Sequence, residues 1–242
     1  IIIATKVGHR LDDDNSILLD YSYNHIISAC NKSLHRLKRD YIDLYQLHSA
    51  KMEHLLQGEC ISAMQDLAKQ GKIRYWGISL NTFNPEPEAN YFIDKKIGSS
   101  FQLVYNLINQ KSLSLIQKAS QAGYGIIARM PLQFGTLTGK FSKDAKFDNN
   151  DHRAFRLNAQ ILSSILDDTD EVWNLTDKYN TSKTGLSLSF ILSTKGVSTT
   201  IPGIKTVAQA ISNTSNIVSI EKDDLIFLNS LYESKFNKIV EM

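Results

Sequence analysis

Polar side chains able to do chemistry fall at the ends of β-branched runs. Lys6 follows residues 1–5, His48 follows Y-I-D-L-Y-Q-L (41–47), and Ser79 closes I-R-Y-W-G-I-S (73–79). Tyr105 ends the run 101–105 and Asn106 follows it, Arg129 follows 124–128, and Pro202 with Gly203 follows 198–201. A cation, an imidazole, a hydroxyl and an amide at strand ends can grip and polarise a small polar molecule, and strand ends are where parallel architectures keep their chemistry. Singly, Lys6 and His48 are ordinary strand-end residues; at the ends of consecutive strands they form a pair able to act on one ligand. His9, His25, His35, His54 and His152 lack an i, i+4 pairing, and Cys30 and Cys60 lack C-x-x-C spacing, so no metal and no disulfide framework is expected. G-T-L-T-G-K (135–140) superficially resembles a phosphate loop, but it is one residue short and Phe141 stands where a Ser or Thr would bind magnesium. An ATPase is rejected on that ground.

The elements that must position these groups alternate in type. Six strands are expected at 1–5, 41–47, 73–79, 101–105, 124–128 and 198–201. Apolar residues at three- and four-residue intervals mark helices around 25–37, 60–70, 89–97, 113–121, 170–179 and 184–193. A further helix over 220–240 opens with Glu221, Asp223 and Asp224, where a helix N-terminus favours negative charge. Strand and helix alternating every 30 to 40 residues gives parallel strands with helical crossovers. Thr5 to His9 do not spell G-x-G-x-x-G, so a (β/α)8 barrel is expected over a doubly wound sheet. The long stretch 130–157, poor in periodic apolar residues, reads as a binding loop in which Asp151 and Arg153 could clamp a lid or form a plain surface ion pair. With no linker, residues 1–242 are expected to form one barrel domain.

Composition narrows the partners. The 27 Lys and Arg nearly balance the 25 Asp and Glu, a net charge of +2, so no strong field attracts nucleic acid or an anionic membrane. The basic group Lys32, His35, Arg36, Lys38 and Arg39 is interleaved with Leu34 and Leu37, which makes it a solvated helix end. No apolar run is long enough to span a bilayer, and a small molecule or a protein in a cytoplasmic, reducing compartment is the expected partner.

Assembled in order, the strand ends resemble the aldo-keto reductase family. The resemblance runs from residue 1 to about 213 on I-A-T-K-V-G (3–8), S-L-H-R-L-K-R-D-Y-I-D-L-Y-Q-L-H (33–48), G-K-I-R-Y-W-G-I-S (71–79) and Q-L-V-Y-N (102–106). It continues on A-R-M-P-L-Q-F-G-T-L-T-G-K-F (128–141), F-D-N-N-D-H-R (147–153) and I-P-G-I-K-T-V-A-Q-A-I-S-N (201–213). It implies an α/β (β/α)8 barrel that reduces aldehydes and ketones by reversible hydride transfer from a nicotinamide cofactor, usually NADPH. In that family a Tyr protonates the carbonyl oxygen, aided by a Lys, a His and an Asp paired with the Lys; a cation beside a phenol lowers its pKa, and the His donates to the developing alkoxide. Lys6 matches the Lys and His48 the His. The Tyr and Asp precede the strand matched here; neither Tyr21 nor Tyr23 matches the Tyr, and strands 3 to 8 of the barrel are the ones represented. The expectation is a working protein longer than 242 residues or a barrel left incomplete.

By the same resemblance Ser79 and Gln102 would hold the nicotinamide carboxamide, and Arg129 stands where an aromatic usually stacks on its ring; a guanidinium can also stack there. Leu132, Gly135, Leu137, Gly139 and Lys140 match the loop over the pyrophosphate, where glycines allow close backbone approach. Gly203, Lys205, Thr206, Gln209 and Asn213 match the adenosine end, with Lys205 facing a 2′-phosphate, hence NADPH/NADP+. Gln209 and Ser212 stand where relatives often carry an Arg and an acid. The expected activity is NADPH-dependent reduction of small aldehydes or ketones, sugar-derived ones among them. The alternatives are a non-catalytic nicotinamide-binding or protein-interaction relative, as potassium-channel β subunits are, and an inactive truncated fragment. Oligomeric state and substrate are left open.

Overall fold

The computed structural model describes all residues of the chain except Asp13, Asn15 and Met242. Backbone proximity groups them into two compact units, residues 1–103 with 118–126, and residues 104–117 with 127–242.

The first unit contains β1 (Ala4–Val7), β2 (His9–Leu11), β3 (Ile17–Leu19), α1 (Tyr23–Leu37), β4 (Ile42–His48), α2 (Met52–Gln57), α3 (Glu59–Lys69), β5 (Ile73–Ser79) and α4 (Glu86–Lys95), and most of β6 (Ser100–Val104). β1, β4, β5 and β6 lie in that order, each parallel to its neighbour. Helix α1 forms because Ser22 caps it, accepting from His25 N–H, and because Ile26, Cys30, Ser33 and Leu34 recur on one buried face. It stops at Lys38, which turns left-handed with φ 53°. Helix α3 buries Cys60, Ala63, Met64 and Leu67 at the same spacing. Trp76, Phe92, Phe101 and Tyr124 form an aromatic run with ring centroids 5.6, 5.9 and 4.5 Å apart. The Tyr124 hydroxyl donates to the Phe92 and Ile97 carbonyls at 2.7 and 2.9 Å, so the run is buried without a stranded polar group.

Two readings of the sequence are corrected here. The first strand runs Ala4–Val7, not 1–5, because the Ile3 N–H is taken by the Asp43 carboxylate at 3.0 Å and the ladder with β4 begins one residue later. The antiparallel hairpin β2–β3 was not read, since its residues are almost all exposed and carry no period-2 burial; backbone pairing holds it.

The second unit follows Val104. α5 (Leu113–Gln121) begins in it, and the end of β7 (Gly125–Arg129), α6 (Ala159–Asp168), α7 (Asn174–Lys178), α8 (Lys183–Ser193), β8 (Thr199–Thr200), α9 (Val207–Ser212), α10 (Lys222–Leu231) and α11 (Asn237–Glu241) belong to it. β7 pairs parallel with β8. Tyr105, fully buried, stacks on Phe190 at 5.8 Å and shares a 3.2 Å hydrogen bond with Thr194; burial pushes its phenol up to about 12. The helix expected over 170–179 is a 3-10 turn (Asp170–Trp173) followed by α7, and the one expected over 220–240 is α10 and α11 joined by a π turn at Tyr232–Phe236. Helix α6 was missed by the sequence reading although Asn158 caps it, accepting from Ile161 N–H at 2.9 Å. No helix among the described residues is long and apolar enough to cross a membrane.

Candidate active site

In the first unit, strand register puts the expected residues on one face. His48 is level with Ser79, and Ser79 with Gln102; one row down, Lys6 is level with Gln46, Gln46 with Gly77, and Gly77 with Ser100. Partners across a parallel ladder point to the same side, and so do residues two apart on a strand, so Lys6, His48, Ser79 and Gln102 share a face. Ser79 and Gln102 are 2% and 4% exposed, which makes them buried polar groups on the side that carries the cation and the imidazole. Gln46 belongs with them and was not singled out from the sequence. It is 1% exposed, and its side-chain N–H group has no partner among the described residues. Its signal was a polar residue between Tyr45 and Leu47, two positions before His48 and so on the same face of the strand. Gly77 opens this face: a Cβ there would lie 2.2 Å from the Ser100 carbonyl oxygen.

His48 is held from two directions. The Tyr21 hydroxyl donates to its carbonyl oxygen at 2.5 Å, and the His9 ring lies against its imidazole with centroids 4.0 Å apart and planes 19° from parallel. Tyr21 is buried, and burial drives its phenol well above the ordinary tyrosine value. Tyr23 donates to the Asp66 carboxylate at 3.1 Å, which raises its value as well. Both hydroxyls are spent on protein acceptors.

In the second unit, two chain segments leave the same end of a strand pair. Arg129 ends β7 and Ile201 follows β8, with the Ile201 N–H donating to the Ala128 carbonyl at 3.1 Å. Arg129 is partly buried, and burial lowers its guanidinium value; its Nη1 lies 3.4 Å from the Met130 sulfur. After it the chain takes left-handed φ values at Met130, Gln133, Phe134, Gly135 and Gly139, a tight path that exposes Gly139 and Lys140 and buries Leu137. Asn106 fixes that path: its amide donates to the Met130 carbonyl and the Gln133 side chain, both at 2.9 Å, and accepts from Ile108 and Asn109 N–H. Its strand-end position is therefore used for structure. In the adenosine-end segment, Thr206 and Gln209 make a reciprocal capping box on α9, the buried Asn213 donates to the Gly203 carbonyl at 3.3 Å, and Lys205 projects into solvent. Farther along the expected binding loop, Arg153 forks onto Asp151 and lies over Phe147 at 4.9 Å and Phe141 at 5.6 Å.

Each unit by itself offers groups of the kind a nicotinamide dinucleotide binds. In the first unit buried Ser79 and Gln102 suit a carboxamide; in the second the left-handed residues 133–135 and 139 suit close approach of a pyrophosphate to backbone, and the space around the Gly203 Cβ position is open. Among the described residues no cluster of three or more His, Cys, Asp or Glu could hold a metal. Cys30 and Cys60 are buried free thiols pushed up to about 11 by burial.

Parallel strands joined by helical crossovers, with polar groups at the strand ends, are an α/β arrangement. The Aldo/keto reductase family profile matches residues 1–232, and the chain belongs to that family, whose members use nicotinamide cofactors. It is 31% identical over 214 residues to the uncharacterized oxidoreductase YqkF of Bacillus subtilis, which covers 88% of this chain and 67% of that protein. Its fold is that of the aldo-keto reductase (β/α)8 barrel. The glycerol dehydrogenase AKR11B4 of Gluconobacter oxydans superposes with a TM-score of 0.82 at 23% identity, covering 97% of this chain and 72% of that one. The aldo-keto reductase AKR11C1 of Bacillus halodurans in its holo form gives 0.72 at 23% identity, covering 96% and 72%. The chain spans between 49% and 67% of the length of the first curated relatives it matches.

Proposed function

We propose that this protein is a cytoplasmic, NADPH-dependent reductase of small aldehydes and ketones. The observation that supports the reading is the shared face of Lys6, His48, Ser79 and Gln102, a cation and an imidazole on the same side as two buried polar side chains. Bound NADPH supplies the hydride. The chain's own residues bind and polarise: Ser79 and Gln102 orient the carboxamide, and His48 donates a hydrogen bond to the carbonyl oxygen as negative charge grows on it. Lys6 adds positive charge on the same face, which would lower the pKa of the tyrosine hydroxyl that, in the family resembled, gives the alkoxide its proton. By the family resemblance Arg129 would meet the nicotinamide ring, the 132–140 segment would hold the pyrophosphate, and Lys205, exposed and cationic, would pair with a 2′-phosphate, the feature that separates NADPH from NADH.

The test is NADPH consumption by the full-length protein over a panel of small aldehydes and ketones, with Lys6→Met and His48→Ala beside it. Lys6→Met is expected to lower turnover by more than about a hundredfold with NADPH affinity little changed, because a positioned charge acts on the transition state more than on cofactor binding. Turnover equal to the parent would sink the assignment of Lys6. NADPH binding with no consumption across the panel would replace the reductase with a nicotinamide-binding module.

A further inference from the structure

We propose that His9 is a positioning residue for His48, setting the orientation in which that imidazole meets the carbonyl oxygen. The proposal rests on the reading that His48 serves the reaction.

The geometry begins with an oddity of the β2–β3 hairpin. Its strands are three residues each and almost wholly exposed, so burial does not fix them. Two contacts do. The Asp20 N–H donates to the Gly8 carbonyl at 2.9 Å, closing the ladder that continues as His9 opposite Leu19. Gly8 itself, at φ +117°, lies under the Tyr21 ring so closely that a Cβ would fall 2.1 Å from a ring carbon. Only glycine gives both that backbone angle and that approach. Tyr21 in turn binds the His48 carbonyl and leans on the His54 ring at 4.4 Å. The hairpin is therefore tied to the end of β4 through the residues that flank His9.

An exposed side chain at the head of such a strand ordinarily spends its rotamer freedom in solvent. The His9 ring instead lies flat on His48, centroids 4.0 Å apart and planes within 19°. The second side-chain torsion of histidine is broad and weakly restrained by the backbone. A ring covered on one face loses half of that range, since it cannot swing through its neighbour. Tyr21 fixes the His48 backbone and His9 fixes its ring, so the imidazole is held at both ends. Catalytic hydrogen bonds lose up to about a hundredfold for a displacement of about 1 Å, so this restraint is of a size that matters. His9 touches the ring that serves the reaction and is assigned no part in the chemistry itself.

The experiment compares His9→Ala and His9→Phe in the full-length protein, with p-nitrobenzaldehyde as probe, and adds His48→Ala as a reference. His9→Ala is expected to lower kcat about tenfold with the KM for NADPH unchanged, and His9→Phe, which keeps a flat ring, to stay within about threefold of the parent. Side-chain NMR of His48 gives a readout independent of turnover. Its ring protons sit in the shielding region of the His9 ring, so they move downfield in His9→Ala and stay close to the parent in His9→Phe. Unmoved His48 resonances in His9→Ala overturn the proposal, and so does a kcat equal to the parent's when His48→Ala is impaired. If parent and His48→Ala consume NADPH alike, the reductase reading of His48 fails, while the resonances still decide whether His9 sets the ring.

Discussion

Replacing Gly77 with alanine tests the central rows of the site directly. A Cβ at this position would lie 2.2 Å from the Ser100 carbonyl oxygen, 2.3 Å from its Oγ and 2.9 Å from its carbonyl carbon. Two of those atoms are backbone, in strands that are hydrogen-bonded and in register, so the alanine is accommodated only if β5 and β6 part by about 1 Å, the gap between these distances and ordinary van der Waals contact. Overpacking a closed core costs about 1–3 kcal/mol, and an obstacle that cannot rotate away puts Gly77→Ala near the top, about 3 kcal/mol. For a chain of this size each kcal/mol moves Tm by roughly 2–4 °C, which gives a fall of roughly 6–12 °C by circular dichroism. Ser79 and Gln102 pair two residues farther along the same ladder, so NADPH affinity by fluorescence titration falls with it. Adding Ser100→Ala removes the Oγ and leaves the carbonyl, so it restores less than about 1 kcal/mol. Gly203→Ala, with open space at its Cβ position and no left-handed φ, keeps Tm or raises it slightly. A Gly77→Ala protein melting within about 2 °C of the parent, or one fully rescued by Ser100→Ala, would refute the close-approach argument.

Four further outcomes are expected. Tyr21→Phe deletes the donor to the His48 carbonyl and costs about 1 kcal/mol in urea unfolding; an unchanged midpoint would show that the bond contributes nothing. Burial raises the phenols of Tyr21 and Tyr45 well above their usual value and that of Tyr105 to about 12, so the folded chain holds more protons than the unfolded one above about pH 10. Their contribution is complete below about pH 10 and is lost as pH rises through the folded values, so urea midpoints measured between about pH 9 and 12 should decline, and a flat profile would contradict the burial. Cys30 and Cys60, buried with values pushed up to about 11, should react with a thiol reagent only on unfolding; rapid labelling at neutral pH would show an open site. Lys205→Ala should weaken NADPH binding about tenfold and leave NADH binding nearly unchanged, and equal losses for both would remove the 2′-phosphate from its assignment.

The legible part of this protein was the part encoded by local periodicity. Strand β5 and helix α5 fall where spacing placed them, and β4, β6, β7, α1, α3 and α8 lie within one or two residues, because each buries a face whose period is written in adjacent residues. Ends and irregular pieces were less legible for the same reason. A side chain 40 residues away took the Ile3 N–H and moved the start of β1, and the π turn after Leu231 interrupts a pattern that reads as one helix.

The candidate site divides along the same line. Residue types, order and spacing of the seven matched segments determined the family, and they are the ground on which Lys6, His48 and the dinucleotide segments are proposed. Only tertiary structure decided that register puts Lys6, Gln46, His48, Ser79 and Gln102 on one face, that Asn106 is a brace for the 130–135 turn, and that Thr206 and Gln209 cap a helix. It also decided that His9, set apart in the sequence as one scattered histidine among several, lies on the ring of His48. Contacts between residues 27 to 40 positions apart, such as Tyr21 with His48 or His9 with His48, depend on where backbone ladders bring two strand ends, and no local period records that.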